Sequence, residues 1–598
     1  MKSSRPFVFF LILLCALAPF APAARFAFLS NLWPSRVSAQ DVPGTRDPAL
    51  SGFAPSGIVP SGNLDFQSPL PPAELAQALS GRMSDEELLA QTLMFGWVGA
   101  SPSPLIVDWI RDRNIGGVKI FGWNTDDTTR LAETVGELQR LALGSRYGIP
   151  LLVATDQEGG WIRHVKGATS ETPGNMAIGA SGYPQDAYYS GYYIGKELSA
   201  LGINMNFAPT VDLYTNRASY LIGPRAFGDD PVRAGLLGAA FVRGQKDSGI
   251  IATAKHYPGH GDTDLDSHGV LPRINADFET LWNRELLPYR ILAKEKIPAV
   301  MSGHLAFPNT RAEEAPASLS PWFLKDVLRD TIGFEGLIIT DDLMMNGAAV
   351  YAGSLSGAAR AALMAGNDII MLSKTPSLYD PIWTSLVAAM KNDGEFRERV
   401  RDAARRALAV KLEYLRSPGA VPPIPDLERL AEELPNPEGT RFFLNLAARS
   451  VTVVKGEGGK NPFPLEAEEA GQVLLAGQYG DFLSCGVLAF PGAARVRFQG
   501  AADRWELARR ARNADTVIFC LAGPDDLALL NILRDSGRRV IVFSILSPVY
   551  LEQVPWIDGA VAVYSYARES FIAGFSAMVG RIPAEGVLPF NIEAARQP

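Results

Sequence analysis

Residues 250–261 read IIATAKHYPGHG. The first half is apolar without alternation, as in a strand covered on both faces. It ends on Lys255 and His256, and a Pro-Gly turn follows. Seven other stretches have this form: QTLMFGWVG (91–99), GGVKIFG (116–122), PLLVATDQEGG (150–160), INMNFAPTVD (203–212), PAVMSGHLAFP (298–308), GLIITDDLMM (336–345) and NDIIMLS (367–373). Amphipathic helical patterns such as QDAYYSGYYIGKELSALG and DFETLWNRELLPYRILAKEK lie between them. Eight buried strands alternating with helices predict an α/β fold. Eight units between residues 73 and 416 fit a closed (β/α)8 TIM barrel better than an open sheet.

The polar ends of these runs carry the functional signal. Asp156, Asp212, Lys255, His256, His304 and Asp341 all stand where a strand gives way to its loop, and in a barrel that edge is the catalytic face. Helix N-capping accounts for an occasional Asp, but not for Lys and His at the same edge. The five histidines of the chain (His164, His256, His260, His268 and His304) all fall in this region. Clustering of so few imidazoles points to a polar pocket rather than to scattered core histidines.

Around the barrel the chain divides further. Lys2 and Arg5 precede an apolar run, PFVFFLILLCALAPFAPAA, with small-residue cleavage patterns after it, so residues 1–40 read as a secretory signal and the protein as exported. The alternative is an uncleaved N-terminal membrane anchor, because the run approaches the length of a span. Residues 41–72 and 417–439 are Pro- and Gly-rich linkers. From residue 440 to 598, runs such as GQVLLAGQ, DTVIFCLAG, RRVIVFSIL and GAVAVYSYA alternate with helical stretches and predict a smaller α/β/α sandwich. It has no phosphate-binding glycine loop, so no nucleotide site is expected. Cys485 and Cys520 are spaced for neither zinc nor CxxC chemistry, and spacing leaves their pairing open. The 598 residues carry 56 Lys+Arg against 64 Asp+Glu, a net charge of −8, which argues against nucleic acid as a partner. At 47% hydrophobic residues, the chain is not intrinsically disordered.

Two chemistries suit the histidine-rich loop. His256, His260 and His268 with Asp262, Asp264 and Asp266 offer metal ligands, but the turn at Pro258-Gly259 and the Lys255 cation disfavour a metal, so no cofactor is expected. The other chemistry is acid/base. Asp266 stands two residues before His268, on the same side of an extended segment, where a carboxylate orients an imidazole and raises its basicity. Asp341 is then a candidate nucleophile or electrostatic stabiliser. A nucleophilic carboxylate opposite an acid/base group is the arrangement of a retaining glycosidase, here with an imidazole in place of the second carboxylate.

The stretch 255–272, KHYPGHGDTDLDSHGVLP, resembles the signature of glycoside hydrolase family 3 in its β-N-acetylhexosaminidase branch. TDQEGG (155–160), TPGNMAIGA (172–180), NFAPTVDL (206–213), IGPRAFGDDP (222–231) and IITDDLMMNGAA (338–349) resemble further family blocks, so the similarity spans Met83 to Tyr414. The resemblance implies Asp341 as nucleophile, His268 as general acid/base and Asp266 as its dyad partner. It also implies that Asp156, Arg225, Lys255 and His256 hold the hydroxyls of a terminal N-acetylglucosamine. Asp342 reads as structural. The expected ligand is an N-acetylglucosamine-containing oligosaccharide of peptidoglycan or chitin origin. The chain departs from the family at DQEGGWIRHVKG, where the family often carries a substrate-binding Arg eight residues after the Asp. His164 stands there and Arg163 just before it, leaving the role to either one, or to a pocket reshaped by Trp161. Three other readings of the site stand beside this one: a phosphorylase, in which phosphate resolves the intermediate; a β-glucosidase of the same family; and a catalytically silent carbohydrate-binding protein. The sandwich resembles the family's C-terminal domain and reads as a wall rather than a source of catalytic groups.

Overall fold

The structure is a computed structural model. It describes residues 64–592 apart from 264, 266–269, 457, 458 and 460. The expected signal and most of the first linker lie outside the described residues.

Each of the eight apolar runs contains one barrel strand: β1 Leu93–Gly96, β2 Gly117–Ile120, β3 Leu152–Thr155, β4 Met205–Asn206, β5 Ile251–Tyr257, β6 Ala299–Ser302, β7 Leu337–Thr340 and β8 Ile370–Leu372. They pair in parallel in the order β8-β1-β2-β3-β4-β5-β6-β7. A parallel bridge between Ile339 and Ile369 brings β7 back to β8, and Thr340 N donates to Ile369 O at 3.0 Å. The sheet is thus a nearly closed barrel, as expected. Side chains alternate across it. Leu152 and Ala154 point into an interior cluster with Met94, Phe207, Ile251, Met301, Ile339 and Met371, while Val153 points out to the helices. The helix Gly394–Leu415 adds Ala407 and Tyr414 to the interior cluster.

The capping alternative separates cleanly. Asp127, Asp230, Asp277, Asp380 and Asp393 accept from backbone N–H groups at helix starts. Asp156, Asp212 and Asp341 cap none of these helices. Their carboxylates lie among the charges at the strand ends.

The second sheet comprises β9 Thr452–Lys455, β10 Val473–Gly477, β11 Ala494–Arg497, β12 Thr516–Leu521, β13 Arg539–Ser544 and β14 Gly559–Ala562. Its order is β9-β14-β13-β12-β10-β11, parallel throughout except for the antiparallel β9–β14 pair. Alternate residues feed two cores, with Val517 and Phe519 on one face and Ile518 and Cys520 on the other, which makes the expected α/β/α sandwich. Cys485 and Cys520 are buried free thiols in one of these cores. The other core takes in barrel residues: Met176, Ala177, Ala180, Tyr214, Ile222 and Ala226 pack with the sandwich. Arg449 clasps Asp186 at 2.5 Å across the same boundary.

The helices that follow β3 and β4, Pro184–Ala200 and Pro231–Asp247, touch backbone to backbone. A Cβ on Gly244 would lie 2.0 Å from the carbonyl oxygen of Tyr188. Gly244→Ala should therefore lower unfolding free energy by about 1–3 kcal/mol through overpacking, despite the better helix propensity of Ala. Urea unfolding checks this, and an unchanged midpoint would show that the helices can slide apart.

Candidate active site

The ends of β2 to β5 carry charges that the barrel buries, and each charge finds its partner on another strand. At the end of β5 the Lys255 ammonium lies 2.5 Å from Asp156 Oδ1 and 2.6 Å from Glu158 Oε1. Arg225 donates a two-pronged pair of hydrogen bonds to Glu158, at 2.7 and 2.9 Å. The next residue of β5, His256, stands with Nδ1 2.7 Å from Asp212 Oδ2 and Nε2 3.3 Å from Arg225 Nη2. A guanidinium can only donate, so His256 Nε2 accepts and Nδ1–H donates to Asp212. Asp212 also accepts from the backbone N–H of His256 and, at 2.7 Å, of His260, which ties the loop after β5 to the end of β4.

The other oxygen of Asp156 faces Lys119, in the middle of β2, at 2.7 Å. Lys119 is wholly buried. It also donates to Ile120 O at 2.8 Å and lies 3.3 Å from His164 Nδ1. Burial drives the Lys119 ammonium down, and Asp156 counters part of that. Burial raises Asp156, but the ammonium groups of Lys119 and Lys255 outweigh it and hold the carboxylate well below its usual range. Glu158 and Asp212 follow the same pattern. Burial raises both, yet Arg225 and Lys255 hold Glu158 to about 2, and His256 holds Asp212 to about 2. In His164 burial itself acts downward: burial and then the Lys119 charge push it down to about 4, so its ring is neutral at pH 7. With Lys119 donating to Nδ1, the ring proton sits on Nε2.

Asp341 follows β7 directly. Its N–H donates to Ser302 O at 3.0 Å, and its Oδ1 accepts from Asp342 N at 2.8 Å. The side chain is partly open to solvent. Burial pushes its carboxyl up, but nearby His256 and His304, the Asp342 N–H and Lys255 together bring it below the ordinary value, so it is an anion at neutral pH. His304 is fully engaged, with Nδ1 2.7 Å from Ser318 Oγ and Nε2 3.1 Å from Asp342 O. Asp342 Oδ1 accepts from Met344 N and Ser373 N, both at 3.0 Å, and so braces the turn that presents Asp341.

The structure thus brings Asp156, His164, Arg225, Lys255 and His256 into one network with Asp341 close by. Asp266 and His268 lie outside the described residues, as does Asp264 of the metal-ligand set. Within that set, His256 is committed to Asp212, and Asp262 to Arg284 at 2.5 Å. Among the described residues, no group of three or more His, Cys, Asp and Glu could hold a metal ion. Arg163 points away from the network, to Thr169 O, Ser170 O and Glu171, so of the two residues at the departure from the family it is His164 that faces Asp156.

Sequence reasoning missed Lys119 and Glu158, and saw Asp212 only as a strand end. The signals were present. A lysine inside the apolar run GGVKIFG must find a buried partner, and Glu158 lies two residues beyond Asp156. The sandwich also contributes, indirectly. Arg225 closes the turn Gly223–Arg225, and the flanking Ile222 and Ala226 are set in the sandwich core.

A family model described as the glycosyl hydrolase family 3 N terminal domain matches residues 86–410, more than half of the chain. The chain belongs to glycosyl hydrolase family 3. It is 32% identical over 378 residues to Beta-hexosaminidase A of Pseudoalteromonas piscicida, an alignment covering 59% of this chain and 62% of that protein, under two thirds of its length. A Beta-hexosaminidase of Thiobacillus denitrificans is 35% identical over 283 residues, 46% of this chain and 76% of that one. Among solved structures, a glycoside hydrolase family 3 beta-N-acetylglucosaminidase from Paenibacillus sp. superposes with a TM-score of 0.77 at 28% identity, over 85% of this chain and 99% of that one.

Two outcomes test the electrostatics of this family 3 site. In Lys119→Met, the His164 imidazole should titrate above its present value of about 4, because one of the two main influences lowering it is gone. Histidine ring NMR shifts followed against pH read this directly, and an unmoved midpoint would assign the shift to burial alone. Glu158 has a depressed folded value, so its stabilisation is present above about pH 4.5 and lost as pH falls toward 2. Glu158→Gln should cost about 3–5 kcal/mol at pH 7 by leaving Arg225 and Lys255 short of a partner. It should also flatten the acid-induced loss of stability between pH 4.5 and 2, which denaturation at several pH values would measure.

Proposed function

We propose that the protein is an exo-acting, retaining β-N-acetylhexosaminidase that removes terminal β-linked N-acetylglucosamine from peptidoglycan- or chitin-derived saccharides. The observation that carries this reading is the anionic, partly exposed Asp341 beside a rigid cradle of charged groups, Asp156, Lys255, Arg225 and His256. Such a cradle fixes a sugar by charge-assisted hydrogen bonds, with carboxylate oxygens accepting from hydroxyls and cations donating to them. His164 adds a neutral Nε2–H donor. The names of the hexosaminidase relatives support the same substrate class.

In this mechanism Asp341 attacks the anomeric carbon as the glycosidic bond breaks, giving a covalent glycosyl-enzyme. His268, oriented by Asp266, protonates the departing oxygen. The same imidazole then takes a proton from water as the water attacks the anomeric carbon and releases Asp341. The imidazoles, the Asp342 N–H and the Lys255 ammonium beside Asp341 keep it ionised for the first step, and no cofactor enters. The apolar N-terminal segment supports export, which would bring the enzyme to cell-wall fragments.

Asp341→Asn should reduce turnover of a chromogenic N-acetyl-β-glucosaminide by at least about a thousandfold, while His268→Ala should leave a slow enzyme that accumulates a glycosyl adduct on Asp341. Steady-state rates and mass spectrometry of the Asp341 peptide check both. Undiminished turnover in Asp341→Asn would sink the mechanism. Faster cleavage of the glucoside would sink the specificity, and a sugar 1-phosphate formed in phosphate buffer would make the protein a phosphorylase.

A further inference from the structure

Beyond the charged cradle, an aromatic face lies open beside the strand ends. Trp123 is 47% exposed, in the short turn Gly122–Asn124 directly after β2, on the face where the strands end. Its inner face is covered by Phe121, stacked at 4.6 Å with the planes 12° apart. Phe121 in turn covers the Lys119 ammonium at 4.2 Å, and its ring centre lies 5.7 Å from that of His164. The column therefore starts on the two residues that flank Asp156 and ends on an open indole face.

That face is held rigidly. Trp123 Nε1 donates to Trp97 O at 2.7 Å, so the indole has no hydrogen bond left to give. Asn124 accepts from Phe121 N and donates to Trp97 O and Gly99 O, and Thr125 Oγ1 donates to His164 O at 2.7 Å. These bonds tie the turn to the loop after β1 and to the hairpin bearing His164. What remains on offer is a fixed, apolar π surface linked through Phe121 to two residues of the cradle, Lys119 and His164. A pyranose ring suits such a surface, because its C–H face is apolar while its hydroxyls point around the rim. Fixing the ring in advance removes the ordering cost of binding.

We propose that Trp123 is a stacking platform for a second pyranose ring, the sugar that carries the terminal residue to be cleaved. The site then prefers oligosaccharides to simple glycosides. This rests on the glycosidase reading above, and the test separates the two. In the full-length protein, kcat/KM is compared for N-acetylglucosamine di- and trisaccharides and for the methyl N-acetyl-β-glucosaminide, whose leaving group has no ring. Trp123→Ala should lose about three- to tenfold on the oligosaccharides, mainly through KM, and change little on the methyl glycoside, while Trp123→Phe should retain most of the wild-type preference. Equal losses on both substrate types, or none on either, would overturn the platform. Fluorescence titration with the trisaccharide decides the matter independently of turnover. Wild type should show a saturable change and Trp123→Ala should bind more weakly. Equal affinities would overturn the proposal. A wild type that binds the trisaccharide but cleaves neither substrate would defeat the glycosidase reading while leaving the platform standing.

Discussion

Asp156 is held between two ammonium groups, Lys119 on one oxygen and Lys255 on the other, and the rest of the site follows from that buried clasp. A lysine taken into a protein interior is costly to keep charged, and a carboxylate that meets it there offsets much of that cost. Here β2 supplies one lysine, β5 the other, and the carboxylate stands just past β3. None of these strands satisfies its own charge. Glu158 and Arg225 extend the pattern by giving Lys255 a second acceptor and Arg225 a two-pronged one. Each group is ionised because the others are, so the strand ends must come together in one register or leave bare charges in the interior.

The same economy shapes what faces the ligand. His164 is kept neutral by burial and the neighbouring Lys119, and Asp341 is kept anionic by His256, His304, the Asp342 N–H and Lys255 beside it. Two groups at one barrel mouth are therefore both deprotonated at neutral pH, one as a neutral ring and the other as an anion. The sandwich enters through packing rather than charge. Its core takes in Ile222 and Ala226 on either side of Arg225, and Phe590 packs edge-on against Tyr214 at 5.0 Å. A domain that looks separate in sequence thereby forms part of the wall behind the arginine.

How much of this was legible beforehand depended on whether the signal was local. The eight barrel strands were readable because a doubly covered strand must be apolar along its whole length, and each of the eight runs contains one of them. Strand-end Asp, Lys and His were readable because a charge at the end of such a run has few other reasons to be there. Glu158 escaped notice because it lies in a loop-like DQEGG segment, and Lys119 because a single lysine in an apolar run looks like noise until its partner is known. The choice between Arg163 and His164 was closed to any local argument. It turns on which side of the hairpin Gln157–Gly159/Ile162–Arg163 faces the barrel axis, and Arg163 is drawn off by Thr169, Ser170 and Glu171.

By itself, the sequence determined the alternation of buried strand and amphipathic helix, the edge on which the polar residues gather, and the family to which the chain belongs. These follow from periodicity and from contiguous residues, which chain order preserves. Only the tertiary structure decided which charge pairs with which, that His256 donates from Nδ1 to Asp212, that Lys119 belongs to the site, and that Trp123 ends a column rising from it. Those facts depend on approaches of 2.5–4.6 Å between residues up to 99 positions apart, and a barrel sets such distances by closing on itself.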